Sequence, residues 1–181
     1  MNLAAGNGHM QSILVGSGWH SQLFAAEMSA LVGQFTPVSG GDRFLSSDVS
    51  IKASDLSFSA TLDNLLQPAA HITISGEPKV VKEDDLKAAF AEWLTTTSLT
   101  PEMGTIAVRS TRHGERVSGW SANALAGHMG TVLSAVGWSI DLEKPQVEIG
   151  LVVNCQSGLI VWGLSHFSEP PRVGWKQRSP S

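Results

Sequence analysis

Apolar residues recur along the chain at two spacings, and these spacings divide it into elements. Gln11 to Val15 is a short apolar run stopping at Gly16-Ser17-Gly18, which predicts a strand and a tight turn. From Trp19 to Val32, with Phe35 just beyond, Leu23, Phe24, Met28 and Leu31 fall at helical spacing, and Gly33 stands where a C-cap belongs. The stretch 36–42 is rich in Pro and Gly and predicts a loop. Residues 44–58 alternate loosely and have room for two short strands. The pattern then predicts a helical turn over 61–67 and a strand over 69–75. This first third has the make-up of a small α+β unit.

Glu77-Pro78 marks a boundary. Behind it Lys82-Glu83-Asp84-Asp85 brings acid to a helix start, where the helix dipole favours it. Leu86, Phe90, Trp93 and Leu94 make one apolar face, and the helix decays in Thr95-Thr96-Thr97-Ser98. A strand over 104–108 runs into a basic loop. The clearest helix spans 121–136, with Leu125, Met129, Val132, Leu133 and Val136 as its stripe and Gly137 as its cap. Asp141-Leu142-Glu143-Lys144-Pro145 is a turn. Val147, Ile149, Leu151 and Val153 alternate as a half-buried strand, 154–158 is a hairpin loop, and Leu159 to Leu164 is a strand apolar on both faces. The last residues, with Pro170, Pro171, Gly174 and Pro180, read as an extended tail.

The 181 residues are 42% hydrophobic and 15% charged, so the chain can bury a substantial core. The lone Cys155 excludes an internal disulfide. No run has the length and apolarity of a membrane span, and the uncharged first 26 residues lack the basic start of a secretory signal, so the cytoplasm is the expected compartment. The net charge of −4 argues against a strongly basic nucleic-acid clamp. It is unevenly spread: residues 1–95 hold five Lys/Arg against ten Asp/Glu, and residues 96–181 hold seven against six. The cations of the second half gather at Arg109, Arg112 and Arg116, and again at Arg172, Lys176 and Arg178. Such clusters are either solvated loops or phosphate contacts.

Most chemistries lack their residues. Gly16-Ser17-Gly18 opens a helix as a phosphate-cradling loop would, but the third glycine is missing, and a tight turn is the expected role. The six histidines stand singly, with no pair at metal-ligand spacing. His128, beside an apolar helix face, is expected to be partly buried and hydrogen-bonded. There is no nucleophile elbow around any serine, and Cys155 has no cationic neighbour to activate it. Of the six tryptophans, Trp93, Trp138 and Trp162 are expected in the core and Trp120 at a helix start. Trp175 lies between Arg172 and Lys176, where it either stacks on an unpaired base or docks the tail onto a neighbouring domain.

The second half resembles the THUMP domain. The match rests on the strand ending Ala107-Val108-Arg109-x-x-Arg112, the helix with Leu125-Ala126-Gly127-His128-Met129-Gly130, the turn Asp141-Leu142-Glu143-Lys144-Pro145 leading to Val147-Glu148-Ile149, and the final Leu159-Ile160-Val161-Trp162-Gly163-Leu164. It covers roughly 78–164. The first third, through Ser12 to Gly18 and Leu23-x-x-Ala26-Glu27-Met28-x-Ala30-Leu31, is similar to the ferredoxin-like segment that precedes THUMP in archaeal-type tRNA guanine-N2 methyltransferases. The resemblance implies an α+β fold in which a ferredoxin-like N-terminal segment (1–76) packs against a THUMP-like α/β domain (77–165), followed by a tail or linker (166–181). It implies a module that binds tRNA at the acceptor 3′ end. Arg109 and Arg112 match the family's basic strand end and Lys144 its Asp-Leu turn, whereas Arg116, Arg172, Trp175, Lys176 and Arg178 enter on charge and aromaticity alone. The methyltransferase motif Asn/Asp-Pro-Pro-Tyr is missing, and the chain has no Tyr at all. The chain by itself is therefore not expected to methylate RNA or to hold a cofactor, and a methyltransferase catalytic domain or subunit is an implied partner. A different expectation is a protein-interaction subunit that docks a catalytic chain through the Trp175 tail and the 159–164 strand.

Overall fold

A computed structural model describes residues 11–18, 21–38 and 43–171. Its strands are β1 (Gln11–Gly16), β2 (Thr36–Pro37), β3 (Phe44–Ser47), β4 (Leu62–Thr73), β5 (Thr105–His113), β6 (Ser139–Ile140), β7 (Val147–Asn154) and β8 (Leu159–Ser165). Its helices are α1 (Ser21–Val32), α2 (Glu83–Thr96) and α3 (Ala122–Ala135). Among the described residues the strands form one eight-stranded sheet in the order β2-β3-β1-β4-β8-β7-β5-β6. It is a mixed sheet: β5 runs parallel to β7 and β6, and the other pairs are antiparallel.

β4 joins the two halves of the sheet, pairing with β1 on one side and β8 on the other. The expected helical turn over 61–67 is therefore strand. Its pattern misleads because Pro68 cannot donate to a ladder and sits at a register shift between Leu66 and Ala69. The Gln67 side chain serves the gap. Its Oε1 accepts from Ser12 Oγ at 2.5 Å and Ile51 N at 2.7 Å, and its Nε2 donates to Ile51 O at 2.9 Å. The second strand expected in 44–58 is instead a short 3-10 helix over Ala53–Leu56.

Each face of the sheet has its own apolar set. On one face α2 and α3 cover Ile106, Ile149, Leu151, Val153, Ile160 and Trp162, and α1 covers Leu14, Leu45 and Leu65. Burial of this size is the main driving force of folding. Trp93, Trp120, Trp138 and Trp162 are all buried. α3 ends where expected, with Gly137 at φ 102°. α2 and α3 are tied by Glu83, whose carboxylate meets Lys87 Nζ at 2.8 Å and His128 Nδ1 at 3.2 Å.

The opposite face curls onto itself. Ile13, Val15 and Phe44 of β1 and β3 pack with Val152 and Val161 of β7 and β8. Phe44 stacks on His113 of β5 with ring centroids 5.2 Å apart, although four strands separate β3 from β5 in the sheet order. Close approach at the bend needs small residues: a Cβ on Gly163 would lie 2.7 Å from Pro68 O. β8, expected to be apolar on both faces, is so because it is interior. Residues 159–162 are fully buried between β4 and β7, so this strand has no free edge on which a partner could dock. No helix among the described residues is long and apolar enough to cross a membrane.

Candidate functional site

β5 continues past Val108 to His113, so the expected basic loop is strand for its first half. Alternation along a strand then separates the two arginines of the Val-Arg-x-x-Arg motif, because residues three apart point to opposite faces. Arg112 shares the helix-covered face with Ile106, Val108 and Ser110. Arg109 shares the concave face with Thr111 and His113 and meets Glu148, its Nε 3.6 Å from Oε1. Arg112 lines a hollow at the start of α3, whereas Arg109 lines a cavity on the concave face and also a groove beside α3.

The hollow at Arg112 is about 840 Å³ and is built around the start of α3. Ser121 is the N-cap, its Oγ accepting from Ala124 N at 3.2 Å. Ser110 Oγ donates to Asn123 Oδ1 at 2.9 Å, which fixes the helix start against β5. Arg112 Nε donates to Gly114 O at 3.1 Å, bracing the guanidinium at the strand end. Arg116 lines the same hollow and is exposed. The first turn of α3 carries no acid, whereas the first turn of α2 holds Glu83, Asp84 and Asp85. The positive end of α3 is thus left to solvent beside two arginines, an arrangement suited to an anion. A second groove continues from Arg109, Ser110 and Asn123 along the exposed side of α3, past Ala126, Gly127 and Gly130 to Leu142.

Lys144 lies two residues beyond Leu142, in the turn before β7. Asp141 Oδ1 orders this turn by accepting from Lys144 N at 3.1 Å and Glu143 N at 2.9 Å. These backbone bonds, with a smaller contribution from the Arg109 charge, hold the Asp141 carboxyl below its usual range. β5 and β7 are parallel with Ile106 opposite Val147 and Arg112 opposite Val153. Arg112 and Val147, the first residue of β7, are therefore separated by about 20 Å along the strand direction. Arg172, Trp175, Lys176 and Arg178 lie outside the described residues.

The concave face carries a second, smaller cavity of about 180 Å³. Arg109, Glu148, Asn64, Ser165 and His113 contribute its polar wall, and Val15, Leu66 and Val152 its apolar one. Arg43 bridges nearby, with Nη2 3.7 Å from Asp63 Oδ2 and Nε donating to Gly16 O at 3.0 Å. Sequence reasoning passed over His113, whose only signal was its place one strand residue beyond Arg112. The Gly16-Ser17-Gly18 turn uses its amides internally: Gly16 N donates to Arg43 O and Ser17 N to Thr61 O. Cys155 is buried, its Sγ 3.2 Å from Glu115 O.

No protein-family model matches the chain, and no curated protein matches its sequence. Solved structures match its fold. TrmN from Thermus thermophilus superposes with a TM-score of 0.62 at 18% identity, over 90% of this chain and 47% of that one. PH1313 from Pyrococcus horikoshii gives 0.53 at 10% identity, over 85% and 53%. A 4-thiouridine synthetase solved as an RNA complex with bound ATP gives 0.50 at 14% identity, over 92% and 44%. The chain spans about half the length of these proteins. The likeness is one of fold, and the α+β architecture is THUMP-like.

Proposed function

We propose that this chain is a tRNA-binding module of a tRNA-modifying system of methyltransferase type, acting in the cytoplasm on the acceptor 3′ end. A catalytic domain or subunit would supply the chemistry. The observation that carries the proposal is the hollow at the start of α3, where Arg112 and Arg116 flank helix amides unopposed by any first-turn acid. Phosphate is the ligand such a site favours, since amide donors and guanidinium forks both match its oxygens. The groove along α3 runs as far as Leu142 and gives a strand of RNA a path toward Lys144, two residues farther along the chain. The fold adds its support, because one protein of the same architecture was solved with RNA bound.

Arg109 has a different place in this scheme. It lines both the concave-face cavity and the groove beside α3 and is paired with Glu148, so the phosphate grip rests on Arg112, Arg116 and Lys144. The tail residues Arg172, Trp175, Lys176 and Arg178 are proposed as additional contacts on sequence grounds. With few cations available, binding is expected to be weak and salt-sensitive. The test is a gel-shift titration with intact tRNA and with tRNA trimmed of its 3′-CCA, at two salt concentrations. Affinity falling steeply with salt, and falling further on trimming, is the expected result. Equal affinity for the two RNAs would remove the acceptor-end assignment, and no affinity for either would remove the proposal.

A further inference from the structure

A sheet edge is left open on the side of β5 away from β7. β6 covers only its start, pairing Ser139 with Thr105 and Ile140 with Ile106, and no other strand among the described residues continues that pairing. The hydrogen bonds at the start of β5 show which groups point outward. Gln146 N donates to Thr105 O at 3.1 Å on the β7 side, whereas Asp141 N donates to Ile106 O at 3.0 Å on the β6 side. Successive residues of a strand alternate in this respect, so Val108, Ser110 and Arg112 each turn an N–H and a C=O toward the open edge. β5 pairs with β7 without a register shift from Ile106 to His113, so the alternation is unbroken.

The groove of about 630 Å³ beside α3 runs along this edge. Val108, Arg109 and Ser110 all line it. Arg109 faces the side of the sheet opposite to its two neighbours, and only the edge brings all three to one groove. The far walls are Ala126, Gly127 and Gly130 of α3, and Ile140 and Leu142. A Cβ on Gly127 or Gly130 would meet nothing within 4 Å, so side chains arriving from outside have room there. Ile140 is 41% and Leu142 62% exposed, which gives the groove an apolar rim. Among the described residues that line it, Arg109 alone is charged, and Arg112 and Arg116 stand beyond Ser110 in the neighbouring hollow.

The edge offers donors and acceptors in equal number, and a peptide strand supplies both complements. A phosphodiester chain offers acceptors, which would leave the edge carbonyls unmet. The hollow at the start of α3 differs in this respect, because amides and guanidinium groups are all donors. The arginines disfavour a basic strand and favour an acidic one. They also disfavour a second copy of β5, which would set arginine against arginine. We propose that the outer edge of β5, from Val108 to Arg112, takes an added strand from a partner protein: an extended segment of about five residues, apolar at alternate positions and acidic between them. Its apolar side chains lie over Ala126, Gly127 and Gly130, and its acids share the face of Arg109. The proposal does not rest on the tRNA reading, since a strand can dock whether or not the chain holds RNA. Where both bind, peptide and RNA exclude each other from the groove.

The test uses the isotope-labelled full chain and, as probe, a blocked peptide with the core Val-Glu-Val-Glu-Val. Its lysine counterpart controls for charge. An acidic version N-methylated at alternate residues keeps the charge but cannot donate to a ladder. Amide hydrogen exchange at Val108, Ser110 and Arg112 is followed by NMR. The expected result is saturable binding at about 1 mM or tighter, slowed exchange at these amides, and about tenfold weaker binding of either control. Gly130→Leu fills the groove and should lower the affinity for the acidic peptide about tenfold. The position is open and leucine suits a helix better than glycine, so this variant should fold. Gly127→Leu, open in the same way, serves as the second variant with the same expectation. No binding of the acidic peptide, equal binding of either control, unchanged exchange at the three amides, or unchanged affinity in both variants would overturn the proposal. Protection of the same amides by tRNA but not by the peptide would assign the edge to RNA and overturn it as well. A gel shift with tRNA on the same samples separates the two proposals. Retained tRNA binding without peptide binding sinks this one alone, and peptide binding without tRNA binding sinks only the tRNA module.

Discussion

Replacing Arg112 and Arg116 together by Ala should change the salt dependence of tRNA binding by a predictable amount. Each phosphate neutralised by a cation contributes about 0.7–0.9 to the slope of log affinity against log salt. If both guanidinium groups contact phosphate, the double variant loses about 1.4–1.8 from that slope. Raising salt fourfold, from about 50 to about 200 mM, would then weaken the variant about 7- to 12-fold less than the parent. Both side chains are exposed, and the one bond lost among the described residues is Arg112 Nε to Gly114 O. The cost in stability should therefore stay within about 0.5 kcal/mol, and thermal unfolding is the control. The informative comparison is Arg109→Ala. Arg109 belongs to the same sequence motif but lies on the other face of β5, held to Glu148 at 3.6 Å. It should leave the salt slope unchanged. Fluorescence-anisotropy titrations of labelled tRNA at five or so salt concentrations give the slopes. An unchanged slope in the double variant, or a slope reduced equally by Arg109→Ala, would refute the assignment of phosphate binding to the start of α3.

Other consequences follow from the geometry. His113 is buried with its pKa lowered to about 4, so between that value and the ordinary 6.5 the unfolded chain binds more protons than the folded one. Stability should thus fall as pH drops through this window, by up to about 3 kcal/mol, and His113→Phe should abolish that part of the pH dependence in urea unfolding. Glu27 accepts from Ser59 Oγ, Ala60 N at 2.9 Å, Thr61 N at 3.0 Å and Thr61 Oγ1 at 2.6 Å. Burial raises its pKa, and these hydrogen bonds outweigh that and hold it below 4.5. Its contribution is therefore present at neutral pH and lost only as pH falls below that value, and Glu27→Ala should cost about 2 kcal/mol at pH 7 by stranding the donors. Gly163→Ala would press a methyl onto Pro68 O and should lower stability by about 1–3 kcal/mol, measurable as a shift in the urea midpoint. Leu133→Ala, at a fully buried position beneath α3, should cost about 2–5 kcal/mol.

The apolar pattern alone located much of this architecture. The stripes of α2 and α3, the turn ordered by Asp141 and the hairpin between β7 and β8 are local features. Periodicity, capping and turn chemistry act within a few residues, so they can be read without knowing what lies across the core. The Thr61–Gln67 segment reads locally as a helical turn because its strand character depends on partners. Pro68 and the polar Asn64 and Gln67 break the alternation, and only pairing with β1 and β8, with Gln67 bonded to Ile51, makes β4 continuous. The candidate site shows the same division. The sequence by itself marked Arg109, Arg112 and Arg116 as a group, since nearness along the chain is all that a motif records. Strand length decided their separation. Once β5 extends through His113, the two-residue repeat sends Arg109 and Arg112 to opposite faces, and the curl of the sheet buries His113 against Phe44 from a strand far off in the order. A residue's face follows from backbone geometry, but what that face meets is decided only when distant strands close on one another.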